Sequence, residues 1–167
     1  MPRGERPYMP GYGILGPDEG GGLLPWSWAE ERLSSSRTFW LATRWPDGRP
    51  HVMPVWAMWD TRRLLFSSSK GSRKARNLAD DPRCVLTTED PQNMVMVEGV
   101  AELITQHQEL EAFLSAENAK YGTTYGFEMV DPAVNSCFRM TPMWAFGLQA
   151  ENFTGSPTRW TFSRGLA

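Results

Sequence analysis

Between Thr38 and Gln149 the chain is punctuated too often for anything but short strands. The runs TFWLATRW, RPHVMPVWAMWD, RLLFSSS, RCVLTTE, MVMVEGVAELIT, SCFRMTP and MWAFGLQ are rich in apolar and β-branched residues. Turn signals such as Pro46-Asp47-Gly48 and Asp90-Pro91-Gln92-Asn93 set them apart. Pro50 and Pro54 cannot donate to a ladder, so the second run is expected at a sheet edge or with a bulge. Three helical stretches interrupt the strands. One spans about 27–36, with Ser27 and Glu30 as a capping box; the second is GSRKARNLAD, with Ser72 near its N-cap and Pro82 beyond its end. The third, about 106–121, opens on a Thr105–Gln108 box and stops at Gly122. With no alternating βαβ pattern, this predicts an α+β chain, mainly β: a barrel-like sheet of six to seven mostly antiparallel strands with about three short helices.

Residues 1–25 are rich in Gly and Pro without periodicity and read as an extended arm. Residues 26–150 read as the folded domain and 151–167 as a tail. A chain of 167 residues, 41% of them apolar, is long enough for one core without disulfides or a structural metal. The net charge of −2 argues against a nucleic-acid binder, which needs many phosphate contacts. Cys84 and Cys137 form no CxxC, which excludes a cysteine zinc site and fits a reducing, cytoplasmic setting. No apolar run approaches the roughly 20 residues that cross a bilayer, and none reads as a secretory signal, so no membrane partner is expected. With only His51 and His107, a catalytic triad or a histidine metal centre is poorly supplied. His107, in the polar run QHQELEAFL, reads as a surface residue. If the chain catalyses, a bound cofactor carries the chemistry.

The segment SSSKGSRKARNLADDPR, 67–83, carries the most chemistry. Lys70, Arg73, Lys74 and Arg76 fall within seven residues of an otherwise slightly acidic chain. They sit on a strand-to-helix turn whose free N–H groups and helix dipole favour an anion. Hydroxyls of Ser67, Ser68, Ser69 and Ser72 add neutral donors, so phosphate is the natural guest. The competing reading is a solvated charged turn balanced by Asp80 and Asp81. The segment is neither a P-loop nor a GxGxxG turn.

The run FSSSKGSRKARNLADDPRCVL, preceded by DGRPHVMPVW and followed by VMVEGVAEL, resembles the split-barrel flavoproteins related to pyridoxamine 5′-phosphate oxidase over about residues 36–148. The resemblance implies an FMN-binding type of split barrel and a homodimer with the cofactor at the subunit interface. It also implies that Arg73 and Lys74 hold the cofactor phosphate and that Ser67 and Ser68 touch the cofactor. Where the vitamin-B6 oxidases carry an Arg and a Lys on the phosphate, this chain has Met53 and Met58, and it lacks a convincing counterpart of their C-terminal Arg motif. Both departures argue against pyridoxamine phosphate oxidation. The pattern Lys74-x-Arg76-Asn77-Leu78 is similar to the flavin/deazaflavin oxidoreductases of group B, whose members bind coenzyme F420, FMN or haem. F420 carries a phosphodiester and a carboxylate tail that suit a diffuse basic cluster, so F420 is the expected cofactor and FMN the alternative. The reaction implied is hydride transfer to a flat conjugated molecule such as an enone, quinone or tetrapyrrole. A non-catalytic carrier of a cofactor, haem or fatty ligand is the rival of another class.

Trp40, Trp45, Trp56, Trp59, Trp144 and Trp160 lie in or near the strands and read as core or dimer-contact residues. Simple alternation puts Met53, Val55, Ala57 and Trp59 on one face of their strand and Val52, Pro54, Trp56 and Met58 on the other. Met94 and Met96 read as inward-facing. In the resemblance this part of the chain flanks the cofactor ring, which makes His51, Pro54, Val55 and Trp56 candidates. Neither a proton donor nor a metal ligand is assigned.

Overall fold

A computed structural model describes residues 1–163. Nine strands form one antiparallel sheet: β1 (Arg3–Glu5), β2 (Phe39–Arg44), β3 (Pro50–Val55), β4 (Ala57–Trp59), β5 (Leu64–Ser69), β6 (Arg83–Thr88), β7 (Asn93–Leu103), β8 (Asn135–Gln149) and β9 (Thr158–Thr161). Three α-helices accompany them: α1 (Trp26–Ser35), α2 (Arg73–Asp80) and α3 (His107–Tyr121). Hydrogen-bonded order runs β1-β9-β8-β7-β6-β2-β3, while β5 joins β8 to β4.

The second run is divided. Its first part pairs with β2, beginning at Phe39↔Val55, and its second part pairs with β5, ending at Ala57↔Phe66. Trp56 lies between them and belongs to neither ladder. Simple alternation therefore fails there: Val55, Ala57 and Met58 are all buried, while Trp56 is exposed. Past the fork, β3 approaches β5 without a ladder between them, and α2 bridges the gap by packing on both β2 and β5. The barrel is split, and Pro50 and Pro54 sit on its free edge, where a missing N–H costs no ladder bond.

Two further differences follow from strand pairing. SCFRMTP and MWAFGLQ fuse into one strand, because Pro142 falls where the β7–β8 register shifts at Glu98/Gly99. A Cβ on Gly99 would meet the Thr141 carbonyl oxygen at 2.3 Å, so the bulge needs glycine. The ends of the chain also pair, Arg3↔Thr161 through Glu5↔Arg159, and Arg6 ties the arm down through the carbonyls of Gly16, Gly22 and Pro157. Neither expected capping box forms: the N-caps of α1 and α3 are Pro25 and Gln106, without side-chain bonds. Gly122 does end α3 in the left-handed conformation, φ 68°.

Phe39, Leu41, Leu64, Phe66, Leu86, Val95, Val97, Met140 and Trp160 fill the barrel. Val95 and Val97 take the inward positions of β7, and Met94 and Met96 face outward, half-buried. A second cluster, Met58, Ile104, Leu110, Phe113, Tyr121, Val130 and Cys137, lies under α3.

Candidate functional site

The turn from β5 into α2 stands at the mouth of the split. Ser72 caps α2 by accepting from the Ala75 N–H at 3.2 Å, and its hydroxyl also bonds that of Ser68 at 2.7 Å. This arrangement opens the helix with Arg73 and Lys74 in its first turn. The Arg73 guanidinium lies 3.9 Å from the ring centroid of Trp45, which follows β2. Arg49 lies 4.6 Å from the same ring, and His51 meets it edge-on at 6.2 Å. The fold thus brings Ser68, Ser72, Arg73 and His51 into one neighbourhood.

Charge is what distinguishes it. Among the described residues, none of Lys70, Arg73, Lys74 and Arg76 is ion-paired. Asp81, expected to balance them, turns instead to Arg83 at 2.7 Å and Arg44 at 3.0 Å. Hydrogen bonds from Arg83, and then from Arg44, hold its carboxyl well below the usual carboxylate range. The cationic turn is left without that counter-charge.

Other candidates sit differently. Asn77 is fully buried, and its amide donates to Thr43 Oγ1 at 3.0 Å, which lies 3.5 Å from His51 Nδ1; its Oδ1 has no partner among the described residues. Lys70 points to the Pro132 carbonyl at 3.1 Å, and Arg76 is exposed. Ser67 lies on β5 opposite Cys137. Val55 packs in the core. Pro54 is opposite Trp40 on the outward face of the β2–β3 hairpin, together with Val52. Trp56 stacks on Tyr121, centroids 4.1 Å apart and planes within 7°. Met58, standing where the vitamin-B6 oxidases carry a phosphate ligand, is buried in the cluster under α3.

Three contributors were not singled out by sequence reasoning. Trp45, directly before the Pro46-Asp47-Gly48 turn, could have been found as the aromatic at the hairpin end. Thr43 gave no signal beyond its strand. Tyr121 is marked in the sequence only as the end of the third helical stretch, yet its hydroxyl accepts from the Ala57 N–H at 2.9 Å and reaches the carbonyls of Arg37 and Ala57. Burial pushes that phenol up to about 12. Beside it Lys120, half-buried and donating to the Ala57 carbonyl at 2.7 Å, is pushed down to about 8 by burial and then by Arg37. Burial pushes the Cys84 and Cys137 thiols up to about 12, so neither is a thiolate at neutral pH. Among the described residues no His, Cys, Asp and Glu cluster could hold a metal, and no helix is long and apolar enough to cross a membrane.

Compared by sequence with curated proteins, the chain matches none. Among solved structures, one described as an F420 reductase is 26% identical, covering 70% of this chain and 94% of that one at a TM-score of 0.59. A conserved hypothetical protein from Mycobacterium tuberculosis is 27% identical, covering 83% and 85% at 0.63. A heme binding protein from Mycobacterium smegmatis is 22% identical over 77% of this chain and 56% of its own, at 0.64, and shows the fold alone. Residues 28–149, an open barrel with a cationic turn at its split, match the family described as pyridoxamine 5′-phosphate oxidase, and the chain belongs to that family.

Proposed function

We propose that the protein is an oxidoreductase of the flavin/deazaflavin group B type that binds coenzyme F420 and passes hydride to a flat conjugated small molecule. The observation that carries this reading is the basic turn, which has no ion pair among the described residues while Asp81, one of its two sequence-adjacent carboxylates, is committed to Arg44 and Arg83. The donor set fits an acidic group of spread-out charge. Arg73, its guanidinium over the Trp45 ring, has N–H groups to offer an anion, Lys74 adds a second charge, and Ser67 and Ser68 add hydroxyls. A compact terminal phosphate, as in FMN, is served less well, because Met58 is buried apolar and Met53 cannot donate. The 26% identity to an F420 reductase supports the same choice.

Reduced F420, when bound, supplies the hydride. The chain's own task is orientation and the exclusion of water. Arg73 and Lys74 anchor the acidic end. His51, held beside Thr43 and Trp45, lines the free edge strand, and Asn77 fastens α2 to β2 so that the turn keeps its place. A second copy of the chain completes the cleft by covering Trp40, Val52 and Pro54, which stand exposed on the outward face of the β2–β3 hairpin. Titrating the protein with F420 and with FMN, each followed by its own fluorescence, tests the reading. Saturable F420 binding is expected, and binding of FMN alone overturns it.

A further inference from the structure

Trp56 is an anomaly among the aromatic residues of this chain. Trp160 is 1% exposed in the core, and Trp26 packs edge-on against Trp59, Trp160 and Phe162. Trp56, by contrast, is 41% exposed yet held on one face by a parallel ring. That ring, Tyr121, cannot swing away. It is 7% exposed, its hydroxyl is fixed on Ala57 and Arg37, and the Arg37 guanidinium lies 5.3 Å from its centroid. The result is an indole stacked on an anchored phenol, with the Arg37 guanidinium near the phenol ring and much of the indole still exposed.

Its position gives the exposed indole a meaning. Trp56 stands at the fork where β3 parts from β5, so it marks the closed end of the split whose open end carries Arg73 and His51. Five residue steps of extended chain lead from His51 to Trp56, about 16 Å at the usual rise per residue. Charge gathers at one end of the edge strand and a fixed aromatic plane at the other.

We propose that the exposed indole of Trp56 is the platform on which the flat hydride acceptor stacks, with Tyr121 as the positioning residue that holds the indole still. The assignment rests on the hydride-transfer reading above and adds the residue that selects planar, conjugated acceptors. An indole already immobilised loses little side-chain freedom when a ring lies on it, which favours flat ligands over flexible ones of equal apolar area.

The test uses menadione, a planar naphthoquinone, as probe, and measures its binding to the full-length protein by equilibrium dialysis, which does not depend on the indole being replaced. F420 affinity and sedimentation are measured on the same samples. Trp56→Ala is expected to weaken menadione binding about tenfold, with F420 affinity and the oligomeric state unchanged. Tyr121→Leu is expected to weaken it as well, and Tyr121→Phe, which keeps the ring, to restore it. Unaltered menadione affinity in Trp56→Ala overturns the proposal. So does a parallel loss of F420 affinity, which would give the indole to the cofactor, or dissociation of an oligomer, which would give it to a second copy. If the wild-type protein binds no F420 while Trp56→Ala still loses menadione, the cofactor reading falls and the platform stands.

Discussion

Tyr121→Phe separates what the phenol ring does from what its hydroxyl does. The hydroxyl accepts from the Ala57 N–H at 2.9 Å and, having one proton, donates either to the Arg37 carbonyl at 2.8 Å or to that of Ala57 at 3.0 Å. Removing it does not strand the Ala57 carbonyl, which keeps Lys120 Nζ at 2.7 Å. Nor does it strand Arg37, an exposed residue whose carbonyl water can reach. It does strand the Ala57 N–H, on a residue with no exposed surface. A buried donor left without a partner costs about 1–3 kcal/mol. For a domain of this size that is a fall in melting temperature of roughly 2–4 °C per kcal/mol. The stack on Trp56 needs only the ring and is expected to survive. Urea and thermal unfolding followed by circular dichroism give the stability, and the difference in emission between proteins with Trp56 and with Trp56→Phe reports the stack. A variant within about 0.5 kcal/mol of the parent, the range of an ordinary surface change, would refute the claim that this hydroxyl clamps the fork.

Arg73→Ala and Lys74→Ala are each expected to weaken F420 by on the order of 1.5–3 kcal/mol, tenfold or more in titration, with little change in melting temperature. Gly147→Ala places a Cβ 2.7 Å from the Trp160 ring and 2.8 Å from that of Trp28, so overpacking of about 1–3 kcal/mol is expected in chemical unfolding. Burial raises the Glu117 carboxyl in the folded chain, so its ionised form is the one the fold penalises. Its contribution is favourable at low pH and is lost as pH rises from the ordinary carboxylate value through the raised one. Glu117→Gln is therefore expected to stabilise the protein at neutral pH and to make little difference in acid, as read from unfolding at the two pH values.

Local pattern was enough for most elements. Ser72 caps α2 as its position suggests, Gly122 stops α3 in the conformation that suits glycine, and the two prolines lie on a free edge. Where local pattern failed, the deciding contact came from far along the chain. The break at Trp56 depends on a hydroxyl 64 residues away. Arg3–Glu5 became a strand only because Arg159–Thr161 was there to pair with it. The site divides in the same way. The basic serine turn was legible because its residues are contiguous. That Asp81 would leave it for Arg44 and Arg83, or that Trp45 would lie under Arg73, is a property of the assembled sheet.

The cations beside Ser72 are proposed to grip the acidic part of a deazaflavin. A direct measurement compares the dissociation constant of F420 with that of 8-hydroxy-5-deazariboflavin, which has the same ring and no phosphodiester or glutamates, at low and raised salt. Much tighter binding of F420 that fades as salt rises, together with an Arg73→Ala protein that treats the two alike, is the expected result. Equal affinity of the two compounds for the parent protein, unaffected by salt, would contradict it.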